Sequence, residues 1–136
     1  MTRQFIDVQA LLCDYIADVP GVVTVATRTP AAPTGFTADN TPFVQVRRIG
    51  GADDTITDTA RIDIDVYGTE EQAHDISELI RQALRNLRGT VFNNQLIDRV
   101  STEVAPAYFD FVNTEVYRYI ATYVVETRNQ VTAEPE

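Results

Sequence analysis

Apolar residues recur at helical spacing from Phe5 to Val19, where Phe5, Val8, Leu11, Leu12, Tyr15, Ile16 and Val19 form one stripe and Asp7, Asp14 and Asp18 fall off it. The pattern predicts an amphipathic helix lying back across a sheet. Pro20-Gly21 stops it, and Val22 to Arg28 reads as a strand. Phe43 to Ile49 alternates, with Val44 and Val46 on one face and Phe43, Gln45 and Arg47 on the other, and Gly50-Gly51 is expected to end it. An acidic, solvated turn is expected over Ala52 to Asp58. From Ala60 to Tyr67 the alternation is strict: Ile62, Ile64 and Val66 point one way, Arg61, Asp63, Asp65 and Tyr67 the other. That second face should be wet, or turned to a polar partner.

Gly68 closes the strand, and Thr69-Glu70-Glu71-Gln72 has the form of a capping box, so a second helix starts here. Its stripe is Ala73, Ile76, Ile80, Ala83, Leu84 and Leu87; Arg85 and Arg88 sit in its last turns, and Gly89 is placed to terminate it. Leu96 to Val104 predicts a further strand, broken by Pro106. Val116 to Thr127 predicts a long last strand with Tyr117, Tyr119, Ala121, Tyr123 and Val125 on one face.

These elements imply an α/β (α+β) domain: a mixed, mainly antiparallel sheet of about five strands with two main helices packed on one face. The 136 residues suit one core over residues 1–128, followed by a flexible acidic tail at 129–136. Residues 29–42 carry Pro30, Pro33, Gly35 and Pro42 with Phe36 as the only aromatic, which predicts a long loop suited to contact a partner.

Charge narrows the function. Twenty acidic residues against 11 basic ones leave a net charge of -9, which disfavours affinity for phosphate backbones. All the basic residues are Arg. A single Cys13, with no basic-then-apolar start to the chain, predicts an unsecreted cytosolic product without an intrachain disulfide. No apolar run approaches the roughly 20 residues that span a bilayer, so no membrane association is expected.

Candidate chemistry is sparse. His74, the only histidine, lies beside Asp75 with no second His or Cys nearby, and reads as a surface helix residue rather than a zinc ligand or base. Cys13 borders the first apolar stripe and reads as a small hydrophobe without an activating base. Asp63 and Asp65 project from one strand face and could hold a hard cation or share a proton. Arg61 on the same face, with Arg47 and Arg118 from other strands, explains them more simply as cross-strand charge pairs. Asp53, Asp54 and Asp58 lack the calcium-loop offsets, and Gly50-Gly51 lacks a phosphate-loop continuation. No nucleophile, base and electrophilic stabiliser occur together, so no cofactor, metal or catalytic residue is expected.

The order of a helix, Pro-Gly-Val-Val, a strand, a long loop, PFVQVRRIGG, DTARIDIDVYGTEEQAHDISELIRQAL and a final VYRYIATYVVETR resembles the tail terminator (tail completion) proteins of long-tailed bacteriophages over nearly the whole chain. The resemblance carries no catalytic motif. It implies a non-enzymatic virion subunit in the tail or neck, assembled in the host cytoplasm. Such a subunit forms a hexameric ring with copies of itself on the last ring of the tail tube protein. It ends tube elongation and offers its other side to the head-closure or connector protein, while DNA passes through the lumen without specific binding. An acidic lumen would repel that DNA. The residues expected at the ring or partner interface are Arg47, Arg48, Asp63, Asp65 and Arg118, with Phe36 as an apolar contact. Two other readings stay open: a head-closure or connector protein of the same neck, and a metal-dependent enzyme built on Asp63 and Asp65.

Overall fold

The computed structural model describes residues 2–22, 24–26, 42–54, 56–109, 116–128 and 130–132. Among these residues eight strands and two helices follow one another as β1 (Thr2–Gln4), α1 (Val8–Ile16), β2 (Thr24–Ala26), β3 (Phe43–Asp53), β4 (Thr57–Gly68), α2 (Glu70–Leu87), β5 (Val91–Phe92), β6 (Gln95–Phe109), β7 (Tyr117–Arg128) and β8 (Gln130–Thr132). Six of the strands form one sheet in the order β2-β3-β4-β7-β6-β5, and β1 pairs with β8. Among the described strands only β2 and β3 run parallel; every other pair is antiparallel. The fold is α+β, as the alternating pattern predicts.

Both helices begin where their sequence satisfies free backbone N–H groups. Asp7 accepts from the Ala10 N–H at 3.0 Å and caps α1. At α2 the Thr69 hydroxyl accepts from the Gln72 N–H at 3.3 Å while Gln72 accepts from the Thr69 N–H at 3.2 Å, which completes the capping box. Gly89, at φ 74, turns the chain out of α2. α1 is shorter than its apolar stripe, because Val19 is buried from the turn that follows the helix.

The core lies between the helices and one face of the sheet. Register places Val44 opposite Val66, Val46 opposite Ile64, Ile64 opposite Ala121, Ile62 opposite Tyr123 and Ala60 opposite Val125. Against this surface pack Val8, Leu11, Leu12 and Ile16 from α1 and Ala73, Ile76, Ile80, Leu84 and Leu87 from α2. Full burial of each such Leu or Ile contributes about 1.5–3 kcal/mol. The Tyr15 hydroxyl donates to the Ala83 carbonyl at 2.6 Å and ties α1 to α2.

Several sequence expectations are corrected. Gly50-Gly51 does not end β3, which runs on to Asp53 through a bulge between Arg48 and Gly50. A Cβ at Gly51, at φ 117, would lie 1.9 Å from the Thr59 carbonyl oxygen, so glycine serves close strand approach rather than termination. Pro106 does not break β6 either. It falls in the irregularity between Val104 and Ala107, where a missing N–H disturbs no ladder position. A hairpin unread in the sequence joins Val91–Phe92 to Gln95–Leu96 through Asn93 and Asn94, both at positive φ, as a type I′ turn demands. Within the expected tail, Gln130–Thr132 pairs with Thr2–Gln4. Phe36 and the loop expected over 29–42 lie outside the described residues, Pro42 excepted.

Candidate interaction surface

The sheet face away from the helices carries the residues that the alternation singles out. Arg47 stands opposite Asp63 and next to the Gln45–Asp65 pair. Its Nη2 donates to Asp65 at 3.1 and 3.2 Å and reaches Asp63 at 3.5 Å. Asp63 also accepts from the Thr122 hydroxyl at 2.6 Å, and the Tyr67 hydroxyl donates to Asp65 at 3.4 Å. Donors therefore already occupy both carboxylates, and charge pairing rather than chelation accounts for the Asp63–Asp65 spacing. Arg61, placed with them by sequence, instead binds Glu103 on β6 at 2.7 Å.

This face is drier than the sequence suggests. Asp65 and Tyr67 are each 2% exposed, and Gln45 and Thr122 are buried. Phe43, Tyr67 and Val116 make a second apolar cluster on it, with the Phe43 and Tyr67 rings edge-on at 6.2 Å. Burial pushes the Asp65 carboxyl above its ordinary value, with Arg47 and Arg118 pulling the other way. Burial and the Asp65 charge raise the Tyr67 phenol, which a hydrogen bond from Arg118 partly offsets. Arg47, Asp63, Asp65 and Arg118 thus form one electrostatic group on one face.

Arg48 does not belong to that group. Its side chain leaves the other face of β3 and makes two parallel bonds of 2.7 Å to Asp58, while its Nε donates to the Gly50 carbonyl at 3.1 Å. Its N–H donates to Gln9 of α1 at 2.7 Å. Asp58, expected in a solvated turn, is 2% exposed and is held by this fork. Only Asp54 works as a turn residue, accepting from the Ile56 and Thr57 N–H groups at 2.7 Å each.

His74 is exposed, 3.3 Å from Asp75 and edge-on to Tyr119 at 5.8 Å. Tyr119 meets Tyr108, which meets Tyr117, so an aromatic row crosses from β6 to β7 beside the start of α2. A shallow cleft of about 530 Å³ lined by Thr69, Glu70, Glu71, His74, Asp75 and Tyr119 lies there. Cys13 is half-buried; burial, then the Asp14 and Asp7 charges, push its thiol up, away from nucleophilic reactivity. Among the described residues no three His, Cys, Asp or Glu side chains gather around a metal position, and no helix is long and apolar enough to cross a membrane.

Sequence reasoning missed two features. The first is a groove of about 390 Å³ between α2 and β6, lined by Arg81, Arg85 and Arg88 and, opposite them, Ser101 and Thr102, with Tyr123 below. The arginines at i, i+4 and i+7 were the available signal, obscured because arginine near a helix C-terminus already has a reason to be there. The second is the free edge of β6. Among the described strands β5 covers only Gln95 and Leu96, and the strand beyond exposes Val104, Tyr108 and Phe109 at 47%, 51% and 44%.

No family model matches the chain, and no curated protein matches it. Among solved structures, a chain described as "Virion of native gene transfer agent (GTA) particle" is similar at a TM-score of 0.55 and 12% identity, over 88% of this chain and 85% of that one. At this identity the likeness is one of fold, and it extends over nearly the whole of both chains.

Proposed function

We propose that this protein is a non-enzymatic structural subunit of a phage-like virion, and that it forms the ring, most simply a hexamer, that caps the tail tube. The observation that carries the reading is the end-to-end likeness of fold to a chain of a gene transfer agent virion. The site geometry supports it: the acidic and basic groups of the sheet are spent on one another, and what the surface offers is edges, aromatic rows and charged grooves. These suit docking to proteins. The order of sequence motifs, which resembles that of tail terminators, favours the tube-capping position over a head-closure role. In that role the chain ends tube elongation, contacts the tail tube protein on one side and the head-closure or connector protein on the other, and surrounds DNA without binding it specifically.

The Arg47, Asp63, Asp65 and Arg118 group and the bidentate Arg48 contribute to the ring, under this proposal, by keeping their strands rigid beneath the docking surfaces. Phe36 remains a proposed apolar contact. Electron microscopy of the purified protein mixed with preformed tail tubes tests the position. A ring at the end of the tube that joins the head is the expected result; binding to capsid portals and not to tubes would replace the tail-capping role with a head-closure one.

A further inference from the structure

The groove between α2 and β6 presents cations that no described residue neutralises. Among the described residues Arg85 and Arg88 have neither an ion pair nor a side-chain hydrogen bond, whereas Arg47, Arg48, Arg61, Arg99 and Arg128 all pair with carboxylates. Unpaired guanidinium groups side by side are unexpected in a chain with 20 acidic residues and 11 basic ones. Beneath them lies Tyr123, 1% exposed, whose hydroxyl is buried without a hydrogen-bond partner. Arg81 Nε is buried and unbonded as well, although its Nη1 lies 3.7 Å from Glu78. A buried donor left unmade is unfavourable, and native proteins keep few of them. The helix dipole explains positive charge near the end of α2, but not three arginines aligned over an unbonded phenol.

At the other end of the same helix the sign reverses. Glu70, Glu71 and Asp75 are exposed around the cleft that includes Tyr119. The 18 residues of α2 put the two ends about 27 Å apart. They are different patches with opposite charge on one rigid element, which is what a head-to-tail contact between identical subunits requires.

We infer that the Arg81–Arg85–Arg88 groove receives the acidic first turn of α2 from a second copy of this chain, so that each subunit gives its acidic end to one neighbour and takes the next neighbour's in its groove. Glu70 and Glu71 reach the guanidinium groups, and Ser101 and Thr102 supply neutral donors to the same carboxylates. The inference rests on the ring reading and specifies its subunit contact.

Reciprocal charge reversal tests it. Ring formation on tail tubes, scored by electron microscopy, is expected to be lost in Arg85→Glu/Arg88→Glu and in Glu70→Arg/Glu71→Arg, and to return when all four changes share one chain. Circular dichroism checks that each variant is folded, since all four side chains are exposed. Rings that persist in both double variants, or a fourfold variant that is folded but stays ringless, would overturn the contact while leaving the ring reading intact. A second measurement does not need the ring. A synthetic peptide of residues 69–78 titrated into the full-length chain by NMR should shift the Arg85 and Arg88 side-chain signals. Affinity should fall roughly tenfold in Arg85→Glu/Arg88→Glu, and further as salt rises. Peptide binding without rings on tubes would retire the ring reading and keep the contact; shifts produced by inorganic phosphate but not by the peptide would overturn the contact.

Discussion

Under α1 and α2 the sheet contributes Val44, Val46, Ile62 and Ile64, each no more than 2% exposed, while on its other face the same strands contribute Gln45, Arg47, Asp63 and Asp65. The first face is held mainly by non-directional apolar contact, with the Arg48–Asp58 pair at its margin. The second is held by oriented bonds: Arg47 to two carboxylates, Thr122 to Asp63, Tyr67 to Asp65. One strand can therefore serve two kinds of cohesion through its alternation alone, and only the polar kind has groups that a solution change can switch.

Leu84 is fully buried between α2 and the sheet, so Leu84→Ala should cost about 3–4 kcal/mol, read as a lower midpoint in urea denaturation. Arg48→Ala should cost about 2–3 kcal/mol by the same assay, because it leaves Asp58 buried and unpaired at the margin of the apolar face. Arg48→Lys should recover little of this, since an ammonium cannot make the two parallel bonds. An Arg48→Ala midpoint equal to that of the parent would mean that the fork contributes nothing.

On the polar face the expected signature is a pH dependence rather than a large loss. Burial holds the Asp65 carboxyl above its ordinary value, so the folded chain keeps that proton more readily than the unfolded chain. The parent should then lose stability relative to Asp65→Asn as pH rises from about 4 through the raised value, and the two should run parallel above it. Thermal denaturation of both proteins from acid to neutral pH reads the difference; a gap that widens in the parent's favour would mean Arg47 outweighs burial. Smallest is Tyr123→Phe, which removes an unbonded buried hydroxyl and should stabilise the free chain by roughly 1 kcal/mol in urea.

How much of this was legible in sequence follows from the range of each interaction. α2 could be read in full because its cap, stripe and terminating Gly89 are local, and all of them are present. The charge group was legible in membership, since alternation puts Asp63, Asp65 and Arg47 on one side. Its partners were not: Arg61 goes to Glu103, 42 residues away, and Arg48 goes across the β3–β4 hairpin to Asp58. Adjacent arginines in a strand necessarily face opposite ways, a rule that separates Arg47 from Arg48 once the bulge is placed. Gly50-Gly51 and Pro106 misled because the residues that end a strand are also the ones that let it bulge. The groove went unseen because no local pattern reveals that a tyrosine on an apolar stripe will have its hydroxyl stranded under arginines.

The irregular edge of β6 bears on how such a chain behaves before it meets anything. Three register breaks and Pro106 interrupt the row of backbone donors and acceptors along the strand, so a passing strand finds no continuous ladder to zip onto. Irregularities of this kind are what keep an exposed strand edge from templating strand-to-strand pairing. What such an edge offers a partner is its side chains, Val104, Tyr108 and Phe109, rather than its backbone.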